Sequence, residues 1–335
     1  MRFAFTDDQL AFADAVRDLL AKECSADDVR DAWWRDDGRV SGLWSKLAEM
    51  GVVGILAPEG VGGLGMSELD LVLLLAESGR AAVPEPLRDV AMVAVPAIRD
   101  HAQSDDAEAF LEQIANGTLE IAVGLRRDGV VEHAAGASLF VLEADDGLHL
   151  VDRDVVDIEP VRSVDGSRRL ARVSWTPSSS TRMAGGRPAA ERANDRAAVG
   201  AAAELCGLSD RMIELTVDYA GQRKQFGVPI GSFQAIKHHL ADAALALEFA
   251  KPVVWRAAYS LAHDLPDASI HASMAKAAAS DAAQSVCDAA LQCHGAIGYT
   301  VEYDLHLFMK RSWALIRRSG DARLHRRRVA TAILD

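Results

Sequence analysis

Gln222-Arg223-Lys224-Gln225-Phe226-Gly227-Val228-Pro229-Ile230, continued by Gly231-Ser232-Phe233-Gln234-Ala235-Ile236-Lys237, sits between two long helical patterns. Glycine and proline at this density end a helix, so the segment reads as a connecting turn. It displays cations, amides and an aromatic ring together. An arginine fork such as Arg223 can hold a pyrophosphate through two parallel hydrogen bonds. About 65 residues further on comes a second marker, Gln292-Cys293-His294-Gly295-Ala296-Ile297-Gly298-Tyr299-Thr300-Val301-Glu302.

Working outward, the chain from about 189 to its end is alanine-rich and helical, with segments near 190–221, 232–263, 267–294, 301–317 and 320–333. Alanine costs little side-chain entropy and lets helices approach closely, which suits an antiparallel bundle. Before it, Pro177-Ser178-Ser179-Ser180 through Gly185-Gly186-Arg187-Pro188 reads as a linker. From 119 to 180 the period shortens. Ile121–Gly124, Ser138–Leu142, Leu148–Val151 and Ala171–Trp175 are strand candidates, separated by turns such as Asp145-Asp146-Gly147. Residues 1–118 read as helical, with Thr6 as an N-cap, a helix through Trp44, Leu47 and Met50, and Ser67 capping an apolar helix. The glycine-rich loop from Gly51 to Gly65 lacks both the P-loop pattern and a Rossmann setting.

The bulk numbers exclude some functions. The chain has 335 residues, half of them hydrophobic and a quarter charged, as in a soluble protein. A net charge of −13 argues against nucleic acid as a partner. The basic cluster of Arg323, Arg326, Arg327 and Arg328 reads as a solvated helix end complementing the helix dipole. No apolar run has the length for a membrane span, and the acidic N-terminus does not read as a signal peptide. Cys24, Cys206, Cys287 and Cys293 are scattered and read as buried, reduced thiols, consistent with a cytoplasmic protein. His238, His239 and His294 have no metal-site spacing and read as solvated or interface residues.

Helices, then strands, then helices, with the two motifs in this order and at this distance, resemble the acyl-CoA dehydrogenase family. The likeness covers essentially the whole chain and is strongest in residues 196–325; Pro58-Glu59 followed by Gly62-Gly63-Leu64-Gly65 also resembles that family's first-domain loop. The implied fold is α+β and mostly α. It comprises an N-terminal helical domain (1–118), a reduced, β-barrel-like middle domain (119–180) and a C-terminal antiparallel bundle of four-helix type (189–335). The resemblance implies FAD as cofactor, an acyl-CoA thioester as substrate and an electron-transfer flavoprotein or similar acceptor. Arg223 matches an arginine that crosses a dimer interface to the diphosphate of the neighbour's FAD, and Phe226 a residue near its adenosine. Gln225 stands where a small hydroxyl residue is commoner, and Gln234 is in register with the same segment. Gln292 and Gly295 match the second cross-subunit contact; Ala296 replaces a usual glycine.

The resemblance also shows what is missing. Dehydrogenation needs a carboxylate to take the α proton. The family's usual glutamate falls at Ser319, in Ser319-Gly320-Asp321, and its alternative position falls near Ala197. Neither is a carboxylate, so no catalytic residue is assigned. Asp321 and Asp195 each stand two residues away, and Asp321 is the weak candidate for a displaced base. The Thr-Glu-Pro and Gly-Ser-Asp patterns that line the flavin are absent between 119 and 180. The expectation is a short, non-catalytic β-type subunit of a heteromeric enzyme, as in actinobacterial steroid catabolism. A longer family member would supply the base in an α2β2 tetramer. The alternatives are a self-sufficient homotetramer using Asp321 and a flavin-free scaffold of the same fold.

Overall fold

The computed structural model describes residues 4–334. Its N-terminal part contains α1 (Asp7–Glu23), α2 (Ala26–Ala32), α3 (Leu43–Glu49), α4 (Glu68–Arg80), α5 (Val95–His101) and α6 (Ala107–Ala115). Thr6 starts α1 through a reciprocal cap. The Gln9 N–H reaches the Thr6 hydroxyl at 3.2 Å and the Thr6 N–H reaches the Gln9 side-chain oxygen at 2.9 Å. Ser67 and Asp70 do the same for α4. A π-helical stretch, Arg88–Ala94, runs straight into α5, where the Val95 N–H reaches back five residues to the Val90 carbonyl. Pro96 has no N–H to give the preceding turn, and the ladder widens just before it.

The middle segment holds β1 (Ile121–Gly124), β2 (Val131–Glu132), β3 (Leu139–Ala144), β4 (Gly147–Asp152), β5 (Asp157–Val161) and β6 (Leu170–Ser174). They pair as two three-stranded sheets, in the orders β1-β3-β4 and β2-β6-β5. Among the described residues only β1 and β3 run parallel. The two sheets share a small core around Phe140, with Ala122, Val131, Leu142 and Ala171.

The C-terminal part holds α7 (Gly186–Gln222), a short ribbon of β7 (Lys224–Gln225) and β8 (Val228–Pro229), then α8 (Gln234–Ala262), α9 (Ala268–His294), α10 (Leu305–Arg317) and α11 (Ala322–Leu334). α9 packs against α7, α8 and α11, and α7 also packs on α4. Two glycines set the α4–α7 distance: a Cβ on Gly207 would lie 1.7 Å from the Ala76 carbonyl oxygen, and one on Gly79 2.1 Å from that of Glu204. The four cysteines are free and buried. No helix of the described residues is long and apolar enough to cross a membrane.

The basic cluster needs a correction. Arg323 lies in the first turn of α11, not at a helix C-terminus, so the helix dipole does not explain it. Arg328 instead donates to Asp195 at 2.9 Å, and Arg326 pairs with Asp281.

Candidate functional site

The Arg223 segment forms a tight hairpin at the end of α7. Lys224 pairs with Pro229 and Gln225 with Val228, and the turn residues Phe226 and Gly227 have φ of +53° and +83°. Two successive left-handed residues match the right-handed twist of a two-residue hairpin, although that conformation is strained for phenylalanine. Phe226 is 93% exposed, its ring edge-on to that of Phe233 with centroids 6.2 Å apart. Arg223 ends α7, its N–H donating to the Tyr219 carbonyl at 2.8 Å. Its guanidinium is exposed and has no ion-pair partner among the described residues. Gln225 and Gln234 are exposed on the same connection.

The second marker ends α9. Gln292 is exposed, and Gly295 turns the chain with φ +65° before a short 3-10 segment, Gly295–Tyr299. The two segments meet through aromatic rings. His294 stacks on Tyr219, centroids 4.5 Å apart and planes 20° apart, and Tyr303 closes on both rings. Val228, Tyr299 and Val301 of these two segments are exposed, as are Leu245 and Phe249 on α8.

The interior differs. Where the N-terminal helices, the sheets and α7/α10 meet, long charged side chains fill the space. Arg88, on the π-helical stretch, donates to Glu204 at 2.7 Å, to Asp89 at 3.0 Å and to Glu132 at 3.4 Å. Arg168 donates to Glu132 at 3.0 Å. Arg318 donates to Asp89 at 2.8 Å and to the Val130 carbonyl at 3.1 Å, beside Asp128. Arg311 pairs with Asp165 and donates to the Val83 carbonyl at 2.6 Å. All of these arginines are at most 9% exposed. Burial by itself would raise the Glu132 pKa, but Arg168, Arg318 and Arg88 outweigh it and hold the carboxyl well below the usual range. The recess left between Arg88, Glu132, Arg168, Glu204 and Arg311 measures about 10 Å³. That is room for about one water, against the roughly 300 Å³ or more of a small-molecule pocket. A flavin ring does not fit there.

Of the positions expected for a base, Ser319, Asp195 and Ala197 are closed as well, whereas Asp321 lines an open surface recess of about 310 Å³ with Gln284, Trp313 and Arg317. Ser319 is 1% exposed at φ +57°, with its N–H on Asp128 and its carbonyl accepting from His325 Nε2 at 2.9 Å. Lys276, fully buried on α9, donates to the carbonyls of Gly320 and Ile316 and to the Ser280 hydroxyl, each at 3.0 Å. Burial pushes its amine down to about 7. Asp321 accepts the Leu324 N–H at 2.8 Å as the cap of α11, a bond that holds its carboxyl below the ordinary value. That is the wrong direction for a general base. Asp195 is buried on α7 and tied to Arg328, and Ala197 is packed in the core.

Sequence reasoning missed the interior charges and the Tyr219–His294–Tyr303 cluster. A signal existed for the first: Arg88, Asp89 and Lys276 interrupt runs that are otherwise apolar or alanine-rich.

Two family models match the chain: the N-terminal domain of acyl-CoA dehydrogenase over residues 6–118 and its C-terminal domain over residues 184–334. Acyl-CoA dehydrogenase IpdE2 of Mycobacterium tuberculosis is 35% identical over 300 residues, 89% of each chain. In fold, a chain of the ChsE4-ChsE5 complex from Mycobacterium tuberculosis superposes with a TM-score of 0.91 at 21% identity, covering 100% of this chain and 99% of that one. The steroid ACAD Tcur3481-Tcur3483 superposes with a TM-score of 0.86 at 24% identity, covering 98% of each. The chain therefore belongs to the acyl-CoA dehydrogenase family, whose members are FAD-dependent oxidoreductases acting on acyl-CoA thioesters.

Proposed function

We propose that this chain is the non-catalytic, β-type subunit of a heteromeric acyl-CoA dehydrogenase. In this reading it assembles as α2β2 with a longer family member in the cytoplasm. Arg223, Gln225, Phe226, Gln234, Gln292 and Gly295 meet the partner's FAD, and the partner supplies the glutamate base. One contrast carries the reading: the interior recess is about 10 Å³ and ringed by paired charges, whereas the Arg223 guanidinium is exposed and unpaired among the described residues. When bound, FAD supplies the hydride acceptor for α,β-dehydrogenation. This chain's task is to bind and orient. Arg223 offers a fork of donors to a diphosphate, and the Gln292 amide adds another donor. A diphosphate buried at an interface must be paired, so a subunit with no flavin of its own still has to keep that arginine. The substrate class we propose is a bulky, steroid-derived acyl-CoA, in line with the steroid ACAD among the neighbours in fold.

The test is to tag this chain, purify it from its own cells, and measure subunit masses and flavin absorbance. The expected product is a tetramer with a longer homologue, holding one flavin for every two chains, while the chain expressed alone is colourless. Arg223→Ala should weaken FAD retention by about 10–100-fold, the worth of one or two charge-assisted hydrogen bonds, without unfolding the chain. A yellow, active homomer, or full FAD occupancy in the Arg223→Ala complex, would refute the reading.

A further inference from the structure

We infer that His294 is a positioning residue: its ring, stacked on Tyr219, fixes the spacing between the Arg223 hairpin and the Gln292–Gly295 turn, so that both reach one ligand together. This rests on the reading of those segments as contacts to the partner's FAD. The two segments leave different helices, α7 and α9, and no hydrogen bond joins them among the described residues. α7 and α9 pack along their lengths, and at the ends that carry the two segments the link is the ring pair. Tyr219 lies one turn before Arg223 and its carbonyl caps the Arg223 N–H, so the α7 terminus moves with it. His294 lies between Gln292 and Gly295 and is 5% exposed. Its plane is 20° from that of Tyr219, and Tyr303 leans on it at 4.8 Å while its own hydroxyl donates to the Leu215 carbonyl at 3.4 Å.

The imidazole works here as a ring. Nδ1 lies 2.8 Å from the Ala290 carbonyl, which can only accept, so Nδ1 carries the proton. Nε2 is buried with no hydrogen-bond partner among the described residues. Burial lowers the pKa, so the ring is neutral near pH 7. A neutral, flat side chain with one bond to its own helix and two aromatic neighbours is a spacer. A phenyl group of similar size should therefore replace it.

The experiment uses the complex isolated through a tag on this chain. The FAD dissociation constant is measured by flavin fluorescence for wild type, His294→Phe, His294→Ala and Arg223→Ala, alongside the melting temperature of each apo complex. Expected results, measured below the melting range of every variant, are about tenfold or more weakening for His294→Ala and less than about threefold change for His294→Phe; His294→Ala also melts lower because a buried ring is lost, while His294→Phe melts close to wild type. A merely structural role would lower the melting temperature and leave FAD affinity of the folded complex intact. If His294→Ala does not assemble, Tyr219→Leu removes the same stack from the α7 side and should weaken FAD equally. The inference is overturned if neither variant changes FAD affinity while Arg223→Ala does, or if His294→Phe loses as much as His294→Ala. If Arg223→Ala also leaves affinity unchanged, the underlying reading falls and this inference falls with it.

Discussion

Glu132→Gln tests the filled interior directly. The side chain keeps its shape and loses only its charge. In the native protein the Glu132 carboxylate accepts from Arg168 and Arg88 and lies 3.5 Å from Arg318 Nε. Arg88 and Arg318 retain Asp89, and Arg88 also retains Glu204. Arg168 pairs with no other carboxylate among the described residues and is 9% exposed. The substitution therefore strands one buried guanidinium, a loss of about 3–5 kcal/mol. At about 2–4 °C per kcal/mol, the melting temperature should fall by about 6–20 °C at pH 7.5. Adding Arg168→Met removes the stranded charge and should restore more than half of the loss, measured as a double-mutant cycle by scanning fluorimetry. The pH dependence has a definite sign. The folded carboxyl is held below its unfolded value of 4.5, so its contribution is present above that pH and disappears as pH falls through the folded value. The gap between wild type and variant should persist at pH 5 and narrow only below the usual carboxylate range. A variant that melts within about 1 °C of wild type at pH 7.5 would refute the claim that this network holds the interior together.

The remaining predictions concern the α9–α10 junction and the α4–α7 contact. Lys276 is pushed down to about 7 from 10.5, so the unfolded chain binds more protons between those values and wild-type stability rises with pH across them. Lys276→Met should flatten that rise, read as the difference in melting temperature between pH 7 and 9.5, and parallel curves would count against it. Gly207→Ala places a methyl carbon on the Ala76 carbonyl and should cost about 3 kcal/mol or more, seen as a melting temperature lower by about 6 °C or more; an unchanged melting temperature would show that the helices can separate freely. Ser319→Glu restores a carboxylate at the family's usual position but should give no dehydrogenase activity and a less stable protein, because that side chain is buried on a left-handed residue. Turnover of an acyl-CoA by this variant alone, with added FAD, would contradict it.

How far the sequence could be read depends on the kind of signal. The long helices of the C-terminal part were legible within a few residues, because their alanine-rich periodicity is strong and Gly or Pro lies near several of their ends. β1, β3, β4 and β6 were legible as short apolar runs. β2 spans two residues and β5 is largely exposed and contains Pro160, so neither had a pattern to find. The exposed site residues were legible only as a motif; the φ values that push Phe226 outward come from the hairpin. The interior charges were the opposite case. A charged residue is normally assigned to the surface, and Arg88, Arg311 and Arg318 are buried only because each finds a carboxylate from a different part of the chain. That pairing is long-range and leaves no local trace. The basic cluster on α11 was misplaced for a related reason, since nothing near Arg328 in sequence announces Asp195.

The filled interior and the exposed arginine follow from one constraint. A folded interior does not tolerate a large empty slot between its layers. At about 24 cal/mol per Å³, a void of roughly 300 Å³ would cost about 7 kcal/mol, comparable with the whole stability of a domain. The slot must be filled by side chains already pointing into it, from helices whose axes are fixed by contacts such as Gly79 and Gly207. Arginine is long enough to do so, but only with a carboxylate for each guanidinium. The junction accordingly holds Arg88, Arg168, Arg311 and Arg318 with Asp89, Asp128, Glu132, Asp165 and Glu204. So filled, this junction has no room for a flavin ring, which is why a carboxylate placed at position 319 alone is not expected to produce dehydrogenase chemistry. The outer hairpin is under no such constraint. Its residues pack on little of this chain, so folding does not require an exposed phenylalanine or an unpaired arginine there, which is why the proposed role of both is tested in the complex and not by stability.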